Sequence, residues 1–148
     1  MTTCVVGVGN ALRGDDAAGL VVVQLLEADP PDGVRLMTCE GEPLSLLSSW
    51  GTCDTVYVVD ATNSGIAAGT VRRFEADAAP LPDDLNHSST HLLGVAEAIE
   101  LGRTLGKLPP RTVLYAIEGA AFDTGGPLSL EVAAAVEQVA AAIREELA

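Results

Sequence analysis

The sequence predicts an α/β fold: a single domain over residues 1–148, built on a mainly parallel, twisted sheet of about five strands with helices on both faces. Three observations predict it. Short β-rich apolar runs alternate with segments of helical periodicity, the pattern of strands joined by crossover helices. Those runs are apolar along their whole length, as strands covered on both faces require. The chain has 148 residues, 48% of them hydrophobic, which suits one packed core. Only 3% are aromatic, so that core must be assembled from Val, Leu, Ile and Ala.

Each element has its own signal. Thr3 to Gly9 is an apolar run ending in glycine, a buried strand. From about Asp16 to Ala28, the spacing of Ala17, Leu20, Val21, Gln24 and Leu25 suits a helix, which Pro30-Pro31-Asp32-Gly33 ends. Val34 to Cys39 is a second strand, and a short helix over Pro43 to Ser49 follows, since proline tolerates a first helical turn. Thr55 to Val59 is a third strand, with Asp60 directly behind it. Thr70 to Phe74 is more polar and reads as an edge strand; Pro80 to Asn86 is a proline- and acid-rich loop. Ser88-Ser89-Thr90 can cap a helix running to about Leu105. Thr112 to Ile117 is another buried strand, and Ser129 starts a last helix that runs to the C-terminus.

Composition excludes several classes of function. A net charge of −13 argues against nucleic acid and against anionic membranes, whose phosphates repel a polyanion. No apolar run approaches the roughly 20 residues needed to span a bilayer. The N-terminus, Met1 to Val6, lacks the basic region of a signal peptide, so the expected location is the cytoplasm. Cys4, Cys39 and Cys53 show no C-x-x-C spacing, and their odd number suits a reducing compartment; the expectation is three small buried hydrophobes.

In doubly wound folds, ligands sit outside the carboxyl ends of the strands, which directs attention to the residues after Gly9, Cys39, Val59 and Ile117. The stretch Gly7-Val8-Gly9-Asn10-Ala11-Leu12-Arg13-Gly14-Asp15-Asp16 resembles a dinucleotide-binding turn only at first sight. G-x-G-x-x-G needs glycine where Leu12 stands, and two carboxylates near the helix start would repel a pyrophosphate. Asp15 and Asp16 suit helix capping, with one free to cap while the other points into a site. Asp60, just past a buried strand, must be paired, bonded to its own turn or bound to something else. His91 beside the Ser88–Thr90 cap is a third candidate, with His87 in the preceding polar loop as a weaker one.

Two converging carboxylates raise each other's pKa unless a cation is present. A divalent metal relieves that repulsion, and a neutral imidazole completes an O,O,N set that accepts nickel, zinc, cobalt, iron or manganese without choosing among them. Three protein ligands leave positions open for substrate or water. A serine or cysteine nucleophile is disfavoured, because there is no G-x-S-x-G elbow and no cysteine beside a histidine.

Residues Gly7 to Gly19 are similar to the opening motif of the hydrogenase maturation proteases: G-x-G-N, an apolar pair, then D-[DE]-x-x-G. Val58-Val59-Asp60-Ala61, and then Ser88-Ser89-Thr90-His91-Leu92-Leu93-Gly94, like the family's S-x-H-x-x-G stretch, continue the resemblance in the family's order. It implies an endopeptidase, grouped with the aspartic type, that removes a short C-terminal peptide from a nickel–iron hydrogenase large-subunit precursor once nickel is in place. It implies metal binding and catalysis by Asp16, Asp60 and His91, with nickel supplied by the substrate and zinc or another divalent ion able to substitute. Many members carry Glu where this chain has Asp16. Glu40 resembles the family's second-strand acid near the cleft, and Asn10 and Asp15 join it as expected substrate contacts. The rival readings are a nickel-binding assembly chaperone without peptidase activity, another small metal-dependent peptidase, and an α/β interaction domain in which the same residues only cap and hydrogen-bond.

Overall fold

The computed structural model describes residues 2–40, 42–85 and 94–148. Along the chain run β1 (Thr3–Val8), α1 (Ala18–Glu27), β2 (Val34–Cys39), α2 (Leu46–Ser49), β3 (Thr55–Thr62), β4 (Val71–Glu75), α3 (Val95–Leu105), β5 (Arg111–Glu118) and α4 (Leu130–Leu147). Single 3₁₀ turns cover Gly14–Ala17, Pro43–Ser45 and Asp83–Leu85. The sheet order is β2-β1-β3-β5-β4. β2, β1, β3 and β5 are parallel; β4 pairs antiparallel to β5 at the edge, as its more polar sequence predicts.

The continuous apolar strands bury both faces. Cys4, Val6, Val8, Val56, Val58, Leu114 and Ala116 pack with α2 and α3, around the fully buried Trp50 and Ile99. Val5, Tyr57, Val59, Val113, Tyr115 and Ile117 pack with α1 and α4. No helix among the described residues is long and apolar enough to cross a membrane.

Several boundaries depart from the sequence expectation. β3 continues to Thr62, because β5 extends its ladder through Asp60↔Ala116, Ala61↔Ile117 and Thr62↔Glu118. Asp60 is therefore inside the strand and not in the turn behind it. α1 begins at Ala18, two residues late, because Gly14–Ala17 is a tighter 3₁₀ turn. α3 begins at Val95 with Gly94 as its N-cap, and the expected Ser88–Thr90 cap lies outside the described residues. Ser129 does cap α4, its hydroxyl accepting from the Val132 N–H at 3.4 Å.

The cysteines need correction. Cys4 on β1 and Cys53 before β3 form a disulfide across 49 residues. Parallel pairing sets Cys4 opposite Val56, which carries the segment ahead of β3 back to the β1 start. Cys39 is outside that disulfide and buried, its sulfur 3.4 Å from the Ser45 hydroxyl.

Candidate active site

Glycine packing brings the site together. A Cβ on Gly19 would lie 2.3 Å from the Val59 carbonyl oxygen and 2.6 Å from that of Val8, so α1 presses its backbone directly onto β1 and β3. A Cβ on Gly9 would lie 1.9 Å from the Asp16 carbonyl oxygen, and the Asn10 N–H donates to that oxygen at 3.2 Å. Any side chain at either glycine would push the Gly14–Ala17 turn off the strand ends. With hydrogen at both, Asp16 is set beside the end of the central strand β3.

Asp16 is 2% exposed and Asp60 4%. Asp60 lines a cavity of about 10 Å³, room for one water or ion, together with Thr62, Leu85, Val95, Ala96, Leu114 and Ala116. Its Oδ1 has no hydrogen-bond partner among the described residues. Burial, followed by the charge of Asp16, drives the Asp60 carboxyl well above the ordinary carboxylate range; the Ala61 N–H opposes this and Glu97 adds to it. Two buried carboxyls are thus close enough for the charge of one to act on the other.

Glu97 was not among the residues the sequence singled out. It sits in the first turn of α3, its Oε2 is buried without a hydrogen-bond partner among the described residues, and its charge reaches Asp60. An acidic residue six positions after His91 was the available signal.

Asp15 faces elsewhere. It is fully buried, and its carboxylate accepts from the N–H groups of Ala120 (2.7 Å), Ala121 (3.0 Å) and Ser129 (2.7 Å) and from the Ser129 hydroxyl (2.9 Å). Burial pushes its carboxyl up, but these four donors outweigh burial and hold it below the ordinary range. Both oxygens are committed to the fold, so Asp15 is a fastener for the connection between β5 and α4, and neither a cap for α1 nor a group free to meet substrate. The Asn10 side chain is also in use, accepting the Leu12 N–H at 2.9 Å and shaping the same turn. Glu40 is exposed at the end of β2. His91 and His87 lie outside the described residues.

Of the expected O,O,N set, the structure brings Asp16 and Asp60 together. No group of three or more His, Cys, Asp or Glu among the described residues is arranged to hold a metal ion. Two buried carboxyls, one with an unpartnered oxygen, nevertheless have the chemistry of a cation seat, because a cation would cancel the repulsion between them.

A model of the hydrogenase maturation protease family matches residues 20–146, a span that includes Asp60 and starts just after Asp16. The chain belongs to this family. The hydrogenase 2 maturation protease of Escherichia coli K12 is 30% identical over 98% of this chain and 92% of its own length. The hydrogenase expression/formation protein HupM of Azotobacter chroococcum is 31% identical over 90% of this chain. The chain spans 65% of HupM and 66% of the related HoxM of Azotobacter vinelandii. The solved hydrogenase maturating endopeptidase HybD of Escherichia coli superposes with a TM-score of 0.76 at 30% identity, covering 99% of this chain and 94% of that one. A solution structure of an Escherichia coli endopeptidase gives 0.80 at 29% identity over the same shares. The family's sheet, mostly parallel and flanked by helices, is therefore the scaffold that carries Asp16 and Asp60.

Proposed function

We propose that this protease-family chain is an endopeptidase that removes the C-terminal peptide of a nickel-loaded precursor of a nickel–iron hydrogenase large subunit, completing its maturation in the cytoplasm. The observation that carries the reading is Asp60: a buried carboxyl within the central strand, lining a small cavity, acted on by the charge of Asp16, and with an oxygen that has no partner among the described residues. An unsatisfied buried carboxyl costs stability, a cost that a bound cation or a proton would offset.

The nickel would come with the precursor, where it would supply positive charge able to polarise the scissile carbonyl. Asp16, Asp60 and His91 are the residues that would meet it from the protease side, and zinc or another divalent ion suits the same donors. Without the cation, burial and its neighbour's charge favour the protonated form of Asp60; with a cation seated it would give up that proton and serve as a carboxylate ligand. Asp16 takes a proton from the attacking water as its hydroxyl goes to the carbonyl carbon, and hands that proton to the leaving amide nitrogen. One carboxylate thus serves first as base and then as acid beside a metal-bearing partner, which joins carboxylate catalysis to the metal dependence.

The test mixes purified protein with the nickel-loaded large-subunit precursor and reads the precursor's mass. Loss of a C-terminal peptide, abolished by Asp16→Ala, Asp60→Ala and His91→Ala, is the expected result. An unchanged mass in a stable complex would replace this reading with a nickel-binding chaperone. Hydrolysis of short peptides with no precursor present would point to a general small metallopeptidase.

A further inference from the structure

The cavity lined by Asp60 is closed by parts of unequal strength. Its sheet side is Asp60 and Thr62 of β3 with Leu114 and Ala116 of β5, paired along one continuous ladder. The rest of the wall is Val95 and Ala96 in the first turn of α3, and Leu85 in the Asp83–Leu85 turn. All seven residues are buried, so an ion reaches the Asp60 carboxyl only where one of them gives way. The strand and helix residues sit in regular hydrogen-bonded elements. Leu85 sits in a single turn of three residues, its N–H donating to the Pro82 carbonyl at 3.2 Å. Local opening costs least where the element is shortest.

Arg72 ties that turn to the sheet. Asp60 pairs with Ala116 and Ala116 pairs with Arg72, so the three stand in one row across β3, β5 and β4. Residues opposite one another on neighbouring strands project to the same face. Phe74, two residues on, packs in the same layer as the cavity walls, and the guanidinium carbon of Arg72 lies 5.7 Å from its ring centre. The Arg72 Nη1 donates to Oδ2 of Asp84, the residue before Leu85, at 2.8 Å. Its Nη2 donates to the Ser64 hydroxyl at 3.4 Å, and that hydroxyl donates to Glu118 Oε1 at 2.7 Å. The same oxygen accepts from the Thr62 hydroxyl at 2.9 Å.

One side chain therefore connects two walls of the cavity, Leu85 through Asp84 and Thr62 through Ser64 and Glu118. The stretch just before the turn is secured to α3 instead, where the Leu81 N–H donates to Glu100 Oε1 at 3.2 Å. The Arg72–Asp84 pair adds the tie to β4. Its side chains are 23% and 49% exposed, and an ion pair in that setting shifts an opening equilibrium by a factor of about two to five.

We infer that Arg72 is a positioning residue: paired with Asp84, it seats Leu85 against the Asp60 cavity and so sets how fast a divalent cation enters and leaves. The inference rests on the proposed cation seat at Asp16 and Asp60, and it adds the wall that opens to admit the ion.

The experiment loads the full chain with zinc and follows by stopped flow how fast an excess of chromogenic chelator removes it. Asp60→Asn, expected to load no zinc, verifies that the ion being read is the one at the seat. Arg72→Met and Asp84→Asn both break the pair while moving the net charge in opposite directions. Loss of the tie predicts that both release zinc about two to five times faster than wild type. It also predicts that Arg72→Asp/Asp84→Arg, which rebuilds the pair with its ends exchanged, returns towards the wild-type rate. Charge acting at a distance predicts opposite signs instead, slower release from Arg72→Met and faster from Asp84→Asn. That outcome, wild-type rates in both single variants, or an exchanged pair as fast as the single variants overturns the inference and leaves the seat standing. Wild type that takes up no zinc, or Asp60→Asn that takes up as much, overturns the seat and the inference with it. Both altered side chains are partly exposed, so the variants keep the fold, which their denaturation midpoints verify.

Discussion

Replacing Asp15 with Ala removes a fastener between two connections more than a hundred residues apart in sequence. Four hydrogen bonds to one carboxylate are lost, three of them from backbone N–H groups. A hydrogen bond to a charged group contributes about 1.5–3 kcal/mol. Two such bonds at the lower figure already give about 3 kcal/mol. Donors sharing one acceptor are not additive, which limits the total to about 5 kcal/mol. That is a large part of a typical stability of roughly 5–15 kcal/mol. Urea denaturation of wild type, Asp15→Ala and Asp15→Asn measures it, provided the m-values agree. Asp15→Asn is expected to lose at least about half as much, because an amide puts a donor where four donors already converge. The pH dependence supplies a second check. A carboxyl held below its ordinary pKa contributes stability above the ordinary range and loses it as pH falls through the depressed value. The gap between wild type and Asp15→Ala should therefore be full at pH 7 and shrink below about pH 4. A loss under about 1 kcal/mol, or a gap equal at pH 7 and pH 3, would refute the reasoning.

Three other measurements bear on the site and the frame. Asp60 sits in the opposite condition: its folded-state pKa is raised, so the folded state holds a proton the unfolded chain has released, and stability declines as pH rises from the ordinary carboxylate range. In metal-free buffer, Asp60→Asn should gain on wild type between pH 5 and pH 8 in denaturant titrations (about 1–3 kcal/mol); parallel curves would contradict this. Glu97→Gln should weaken divalent-metal binding, read by titration calorimetry, about tenfold through loss of negative charge near Asp60, and an unchanged affinity would remove Glu97 from the site. Breaking the Cys4–Cys53 bond, by reduction or by Cys4→Ala/Cys53→Ala, frees a loop of about 50 residues and should cost about 4 kcal/mol. Overlapping unfolding curves with and without reductant would count against the bond.

The architecture was readable because parallel strands are buried on both sides and so announce themselves as apolar runs. β1, β5 and the edge position of β4 follow directly from that. Asp16 and Asp60 were readable because carboxylates beside such runs need a reason. What escaped depends on pairing between distant segments. Asp60 lies within β3 because β5 lengthens the ladder, and nothing local to Thr55–Val59 says so. The role of Asp15 depends on donors at Ala120, Ala121 and Ser129, which neighbouring sequence cannot reveal. Cys4 meets Cys53 only because β1 and β3 are adjacent. Glu97 looks like an ordinary acidic residue in a helix's first turn until α3 is placed against the cavity.

The position of β5 has a consequence for biosynthesis. It is the last strand made, yet it lies inside the sheet, between β3 and β4. At about 5–20 residues per second, β4 leaves the ribosome on the order of seconds before its sole neighbour does. Until then β3 has a bare edge, the cavity lacks the wall given by Leu114 and Ala116, and Asp15 has none of its donors. A nascent chain therefore cannot assemble the surroundings of Asp16 and Asp60 until β5 and the connection behind it have emerged.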